Sequence, residues 1–222
     1  MIWLILGLVM VLSFIVQNML KSRFNKYSKV ILTSRMTGAD VARKMLSDNG
    51  ITDVKVSCVR GELTDHYNPQ TRTVNLSESV YGECSVAAAA VAAHECGHVV
   101  QHAVGYGPLQ LRTALVPVVS FTNSWISWVL LAGLILYQAF PSLLWIGIGM
   151  FALSTLFSFV TLPVEMNASA RAVQWLDNAG VVSYETKPMA QDALKWAAYT
   201  YVIAAISSLA TLLYYISAVR RR

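Results

Sequence analysis

Three of the four histidines in this chain lie within nine positions of one another, in the stretch AAHECGHVVQHAVG at residues 92–105. His94, Glu95 and His98 form the pattern His-Glu-x-x-His inside a run otherwise rich in alanine and valine. Residues four positions apart share one face of a helix, so both imidazoles can bind the same metal ion. Neutral imidazole nitrogen is a natural zinc ligand, and Glu95 can act as general base toward a water at the open position. The spacing therefore indicates hydrolysis at a zinc site.

A catalytic zinc site needs a third protein ligand. His102 lies eight positions after His94, about 12 Å along a straight helix, which is too far for both to bind one ion. We therefore expect His102 to support the site or to be structural. No histidine follows it, so the later ligand must be a carboxylate, and Glu165 is the best candidate. Pro163 suits the first turn of a new helix there, and the alternative for Glu165 is a favourable charge at that helix N-terminus.

The composition indicates a membrane protein. Of the 222 residues, 55% are hydrophobic and only 13% are charged, about half the charged share of a soluble protein. Four runs are long enough to cross a bilayer, which needs about 20 apolar residues. They are a retained anchor at residues 1–20, a hairpin of two spans at 116–140 and 142–162, and a last span at 196–219.

The charge pattern bears on topology rather than on nucleic acid. Much of the net charge of +5 follows the first span, in Lys21, Arg23, Lys26 and Lys29. This excess is typical of the positive-inside rule and predicts a cytoplasmic catalytic face. The basic tail at residues 220–222 contradicts that orientation. No nucleic acid partner is expected, and the odd count of three cysteines implies no disulfide framework.

Two polar segments remain between the spans, and the hairpin that separates them crosses the membrane twice. Both segments must therefore emerge on the same face, where they can build one site together. We expect an α+β unit attached to an α-helical membrane part of about four transmembrane helices. The predicted segments are an anchor (1–20), a catalytic unit (21–111), a transmembrane hairpin (112–162), a helix carrying the third zinc ligand (163–195) and a C-terminal transmembrane helix with a basic tail (196–222).

The local patterns in the first polar segment predict two helices and three strands. Residues 37–50 form a short helix with Thr37 as N-cap. Residues 54–58 alternate as a half-buried strand does, and residues 61–78 form two more strands around an Asn68-Pro69 turn. The alanine-rich stretch from Ser85 forms a helix that ends near Gly105.

Residues near the second strand are candidates for substrate contacts. Zinc peptidases commonly add a histidine or tyrosine donor beside the developing oxyanion, so His66 or Tyr67 could serve, as could Arg171 by its charge. Asp65 could support the site from the same loop. The alternative is a hydrogen-bonded hairpin turn without a catalytic role. An edge strand within residues 62–76 could also hold an extended substrate by β-augmentation.

Four stretches together resemble the YugP-type family of neutral zinc membrane metallopeptidases, across nearly the whole chain. They are LTDHYNP at 63–69, SVAAAAVAAHECGHVVQHA at 85–103, YGPLQLRTALVP at 106–117 and TLPVEMNASARA at 161–172. The resemblance implies a zincin-like fold of the gluzincin type and a membrane-anchored protease with one zinc ion. It implies that His94 and His98 bind zinc, that Glu95 is catalytic and that Glu165 is the third ligand.

Two positions depart from the family pattern. Family members usually carry aspartate where Asn167 stands and an aliphatic residue where Cys96 stands. If the aspartate orients a ligand histidine, Asn167 can do so only as a neutral partner. The side chain of Cys96 should point away from the metal-binding face and act as a small apolar filler.

The function predicted from these observations is a zinc-dependent endopeptidase that cleaves membrane or membrane-adjacent polypeptides. The lipid bilayer and polypeptide substrates are its expected partners, and a bacterial cell membrane, crossed several times, is its expected location. Two alternatives remain. One is proteolysis within the membrane, which needs the His-Glu-x-x-His helix at bilayer depth. The other is a catalytically silent adaptor that keeps a structural zinc, although such sites normally have four protein ligands.

Overall fold

The computed structural model describes residues 2–220, and side chains from residue 7 onward. The chain forms seven helices and three strands within these residues. In order they are α1 (Ile2–Tyr27), α2 (Gly38–Asp48), β1 (Lys55–Val59), β2 (His66–Asn68), β3 (Thr73–Ser77), α3 (Glu78–Tyr81), α4 (Val86–Ala103), α5 (Gly107–Ile135), α6 (Pro141–Asn178) and α7 (Lys187–Arg220).

The chain divides into two compact units, each built from separated parts of the sequence. The helical unit comprises Met1–Phe14, Gly107–Pro163 and Thr200–Arg222. The mixed unit comprises Ile15–Tyr106 and Val164–Tyr199, and it contains all three strands. The five-segment division of the sequence is a finer one, and it stays a prediction.

The mixed unit is built around a small three-stranded sheet in the order β1-β3-β2. The central strand β3 pairs in parallel with β1 and antiparallel with β2. Buried residues of β3, α2 and α4 form one apolar core with Ala172 and Leu176 from the end of α6. This core holds α4 in place, because most of its side chains are buried there.

The local elements of the mixed unit agree with the sequence patterns. The hydroxyl of Thr37 accepts a hydrogen bond from the Asp40 backbone N–H, and the Asp40 carboxylate accepts one from the Thr37 backbone N–H. This reciprocal capping box starts α2 one residue after Thr37, as expected. The three strands and the end of α4 also agree with the elements predicted for residues 37–105, but the short helix α3 between β3 and α4 was not predicted.

The helical unit contains an antiparallel hairpin of α5 and α6. As residue numbers fall along α5, the numbers of their contact partners on α6 rise, which shows that the two helices are antiparallel. The contact pairs are Gly133 with Leu144, Leu130 with Gly147, and Asn123 with Ser154. The glycines permit this approach, because a Cβ on Gly133 would lie 2.7 Å from the backbone of Leu144. Small residues at such contacts are typical of helix packing in membranes.

Three of the described helices, α5, α6 and α7, are long and apolar enough to cross a membrane. They leave large apolar side chains exposed, such as Trp128 with 66% of its surface accessible. The expected number of about four spans therefore differs from the three found. The fourth was the anchor at residues 1–20, which lies partly outside the described side chains. The described part of α1 does expose apolar residues such as Met10 and Phe14.

The structure corrects the expectation that a new helix begins at Pro163. Helix α6 runs through this proline without interruption. Proline removes one backbone hydrogen bond, but packing of the following segment outweighs that loss. The residues that follow it at four-residue spacing are all fully buried, namely Val164, Ala168, Ala172 and Leu176.

The expected single helix at residues 163–195 is also different in the structure. Helix α6 ends at Asn178, and α7 begins at Lys187. A turn lies between them and includes Gly180 at a φ of 64°, a left-handed conformation that suits glycine after a helix end. Glu165 therefore lies in the last part of one long helix rather than in the first turn of a short one.

Candidate metal centre

His94 and His98 share one face of helix α4 because they lie four residues apart. The sequence around them makes this helix stable and well buried. The hydroxyl of Ser85 caps its first turn by accepting from the Ala88 N–H. His94 and His98 lie one turn apart further along, and Glu95 between them is 8% exposed. The helix ends at Ala103, soon after the histidines.

Gly97 allows the last part of α6 to pack closely against α4. A Cβ built on Gly97 would lie 2.6 Å from the backbone oxygen of Ala168. Only glycine therefore allows the two backbones to come this close. Glu165 lies three residues before Ala168, so the close contact carries its carboxylate toward the histidines.

The three predicted ligands meet in the mixed unit. One carboxylate oxygen of Glu165, Oε2, lies 3.3 Å from Nε2 of His94 and 3.6 Å from Nε2 of His98. Among the described residues, these three side chains form a group whose ligand atoms all lie within 4.8 Å of one another. Glu165 is 2% exposed, so its charge is costly without a cation nearby.

The donor set and its spacing fit a zinc ion. Zinc takes imidazole nitrogen and carboxylate oxygen at about 2.0–2.2 Å in a tetrahedral arrangement, which places neighbouring ligand atoms about 3.3–3.6 Å apart. The two distances from Glu165 Oε2 agree with that separation, and the three ligand atoms together lie within the wider limit of 4.8 Å of one another. Three protein ligands also leave the fourth position open, as in a catalytic rather than a structural site.

The second ring nitrogen of each histidine has a protein partner. Nδ1 of His94 lies 3.0 Å from the hydroxyl of Ser169, and Nδ1 of His98 lies 3.0 Å from the side-chain oxygen of Gln101. Such contacts orient a ring so that Nε2 faces the metal. The contacts at Nδ1 thus orient both imidazole rings so that each Nε2 points toward Glu165.

The electrostatics of His98 follow from its two neighbouring carboxylates. Burial disfavours the charged ring, but the hydrogen bond with Glu165 and the charge of Glu95 outweigh it and raise the pKa of His98 above its ordinary value. A metal ion binds only the neutral ring. Protons therefore compete with a metal at this ring, and metal binding weakens as the pH falls.

Two of the other candidate residues, Tyr67 and His102, pair with each other. The Tyr67 hydroxyl lies 2.9 Å from Nδ1 of His102, which joins strand β2 to helix α4. Burial raises the pKa of Tyr67, so its hydroxyl keeps its proton near neutral pH. His102 thus supports Tyr67, and no hydrogen bond between His102 and a predicted ligand is found among the described residues.

The candidates Asp65 and His66 are engaged in the loop before and within β2. The carboxylate of Asp65 accepts from both the backbone N–H and the hydroxyl of Ser77. The ring of His66 lies between the Thr64 backbone oxygen and the Asn75 amide. These contacts correspond to the hydrogen-bonded turn that was the alternative reading of this stretch.

Asn167 and Arg171 lie next to the centre and contact each other. The side-chain oxygen of Asn167 accepts from Nε of Arg171 at 2.8 Å and from the amide of Gln101 at 3.0 Å. Asn167 therefore contacts Gln101, which in turn contacts His98. Whether the aspartate of the family orients a ligand histidine directly stays a prediction. The thiol of Cys96 points elsewhere, toward the backbone oxygen of Ala42, as expected.

Sequence reasoning missed Gln101, Ser169 and Gly97. Gln101 follows His98 by three positions and Ser169 follows Glu165 by four, so each shares a helix face with a ligand. The spacing predicts that these side chains lie near the metal centre, but it does not predict which ligand each one contacts. The role of Gly97 depends wholly on the approach of α6.

Comparison with known proteins finds matches that cover most of this chain. A family model described as "Putative neutral zinc metallopeptidase" matches residues 2–220. A relative from Bacillus subtilis (strain 168), "Putative membrane protease YugP", is 44% identical over 205 residues, covering 92% of this chain and 90% of the relative. No solved structure matches. These findings confirm the resemblance drawn from the sequence motifs. With its match running from residue 2 to residue 220, the chain belongs to the neutral zinc metallopeptidase family.

Proposed function

We propose that the protein is a zinc-dependent endopeptidase that hydrolyses peptide bonds in membrane or membrane-adjacent polypeptides. The observation that carries this proposal is the meeting of His94, His98 and Glu165 around one point, with Glu95 on the same helix as the two histidines. Membership of the family supports peptidase chemistry. The three apolar helices support an enzyme that is anchored in the membrane, close to such substrates.

The proposed ligands are Nε2 of His94, Nε2 of His98 and the carboxylate of Glu165. Zinc, when bound, supplies a Lewis acid that polarises the peptide carbonyl and lowers the pKa of a water. Burial of Glu165 keeps bulk water away from the carboxylate. The hydrogen bonds to Gln101 and Ser169 hold the two rings in place, so binding requires little rearrangement.

Glu95 is the proposed general base. It precedes His98 by three positions, so the two side chains lie near each other on α4. Its carboxylate takes a proton from the attacking water as the new carbon–oxygen bond forms at the scissile carbonyl. It then delivers that proton to the nitrogen of the leaving amine as the carbon–nitrogen bond breaks. General acid–base catalysis of this kind typically contributes about 10²–10⁴-fold.

Tyr67 is the best supported donor for the oxyanion, ahead of His66 and Arg171. Its hydroxyl keeps its proton and has one hydrogen-bond partner among the described residues, His102, whereas the ring of His66 is held between two loop partners and Arg171 donates to Asn167. Strand β2, which carries Tyr67, forms an edge of the sheet. An extended substrate could pair with that edge by β-augmentation and pass the tyrosine.

The two alternative functions have less support. Helix α4 is not among the three candidate spans found in the described residues, and most of its side chains lie in the core of the mixed unit. Both facts favour a site outside the bilayer over proteolysis within it. A structural zinc in a silent adaptor would normally have four protein ligands rather than three with a carboxylate base beside them. A cytoplasmic position of the site remains a prediction from the charge pattern alone.

The test is cleavage of an unfolded protein substrate by the full chain in detergent, for wild type and Glu95→Gln, with bound zinc measured in both. We expect equal zinc and a rate about 10²–10⁴-fold lower in the variant. Glu185→Gln, at an exposed position in the turn between α6 and α7, is the matched control and should cleave like wild type. Wild type that binds zinc but shows no cleavage would favour the adaptor, and wild type without zinc would refute the site.

A further inference from the structure

The side chain of Gln101 is fully buried beside the candidate metal centre. Its oxygen, Oε1, lies 3.0 Å from Nδ1 of His98. Its nitrogen, Nε2, donates to the backbone oxygen of Val164 at 2.8 Å and to the side-chain oxygen of Asn167 at 3.0 Å. One amide therefore connects a zinc-binding ring on α4 with the segment of α6 that carries Glu165.

These contacts leave only one orientation for the Gln101 amide. A side-chain amide has two N–H donors, and both point at oxygens that can only accept. The reversed amide would place its oxygen against those two acceptors and its NH₂ group against the ring. Arg171 strengthens the preference, because its Nε donates to Asn167 Oδ1 at 2.8 Å and holds that oxygen in place.

The orientation of the amide decides where His98 carries its hydrogen. Since Gln101 Oε1 can only accept, Nδ1 of His98 must be the donor. A neutral ring with hydrogen on Nδ1 has its free electron pair on Nε2. Nε2 is also the atom that faces Glu165 at 3.6 Å. Of the two neutral tautomers, the Gln101 amide therefore favours the one that leaves Nε2 free for a metal.

His94 is held in a different manner. Its Nδ1 contacts the hydroxyl of Ser169, and a hydroxyl can donate or accept. Ser169 therefore orients the ring of His94 without choosing its tautomer. Of the two histidines, His98 is the one whose protonation pattern is set by its surroundings.

We propose that Gln101 is a positioning residue that presets the tautomer of His98 and, through Val164 and Asn167, fixes that ring relative to Glu165. The proposal rests on the metal site of the proposed function. Removal of the amide leaves His98 free to carry its hydrogen on Nε2, where it blocks the metal. It also releases the connection between α4 and α6.

The test measures zinc affinity by competition with a chelator, using the full chain in detergent, for wild type, Gln101→Leu, Gln101→Glu and Ser169→Ala. Loss of such supporting contacts typically weakens metal binding about 10–100-fold, and we expect this for Gln101→Leu. A carboxylate at position 101 can still accept from His98, so Gln101→Glu should recover part of the affinity. Ser169→Ala should weaken binding less than Gln101→Leu. Gln174→Leu, which replaces an exposed glutamine of α6, is the control and should bind zinc like wild type.

A spectroscopic measurement on wild type keeps the proposal testable even if a variant fails to fold. Nitrogen-15 NMR of the labelled histidine rings in the metal-free protein, at a pH where the rings are neutral, should show hydrogen on Nδ1 of His98. Hydrogen on Nε2 would overturn the proposal, as would equal zinc affinity in Gln101→Leu and wild type, or equal losses in the leucine and glutamate variants. If any of these three results is obtained but wild type still binds zinc, the proposal about Gln101 is wrong and the proposed function is unaffected. Wild type that binds no zinc would overturn both.

Discussion

Gly97→Ala tests whether the close approach of α4 and α6 sets the metal centre. The new Cβ would lie 2.6 Å from the Ala168 backbone oxygen and 3.1 Å from its carbonyl carbon, where ordinary contacts begin near 3.4 Å. The backbones must therefore separate by about 0.8 Å at this point. Metal–ligand distances tolerate only about 0.2 Å, so a shift of this size carries Glu165 out of place.

The expected magnitude follows from two opposing effects. Alanine is a better helix former than glycine by about 0.8–1 kcal/mol, which alone would stabilise the variant. Overpacking typically costs about 1–3 kcal/mol and acts here against rigid backbone. We expect a net loss of stability and a zinc affinity about 10–100-fold weaker, since each factor of ten corresponds to about 1.4 kcal/mol.

The assay combines thermal unfolding with zinc competition on the same purified samples. Gly149→Ala is the matched control, because Gly149 likewise lies inside a helix, α6, but a Cβ there would meet nothing within 4 Å. This control should keep wild-type zinc affinity. Unchanged zinc affinity in Gly97→Ala would refute the reasoning. A variant that loses stability but binds zinc normally would refute the link from Gly97 to Glu165 in particular.

Two further predictions concern side chains near the centre. If the Tyr67 hydroxyl is the oxyanion donor, Tyr67→Phe should lower kcat about 10²–10³-fold with little change in KM or bound zinc. An unchanged kcat in steady-state assays would exclude that role. Cys96 is fully buried, and burial raises the pKa of its thiol, so this cysteine should be unreactive in the native protein. Alkylation followed by mass spectrometry should label exposed Cys58 and leave Cys96 unlabelled until the chain unfolds. Rapid labelling of native Cys96 would contradict the packing of α4 against α2.

The predictable parts of the molecule were those governed by short stretches of sequence. The capping box of Thr37 and Asp40, the strands around Asn68 and the metal-binding pair on α4 all depend on residues within a few positions of one another. Glu165 was chosen as third ligand by elimination among the downstream carboxylates and by resemblance to the family, not by local geometry, and its role as a ligand stays a prediction.

The parts that escaped prediction depend on contacts between distant segments. Pro163 reads as a helix start, yet four buried residues beyond it keep α6 continuous. Gln101 contacts Val164 and Asn167, which lie 63 and 66 positions away. Helical periodicity shows which face such residues occupy, but it does not show which atoms of another helix they will meet.

The order of the proposed zinc ligands along the chain has a consequence for biosynthesis. Glu165 is translated 67 residues after His98, and all of α5 and the first part of α6 lie between them. At about 5–20 residues per second, a ribosome needs about 3–13 s to supply the third ligand. Throughout that interval the nascent chain carries two histidines without their carboxylate partner. The proposed peptidase therefore acquires its third ligand only after α5 and most of α6 have been synthesised, and a chain released before that point lacks a complete metal centre.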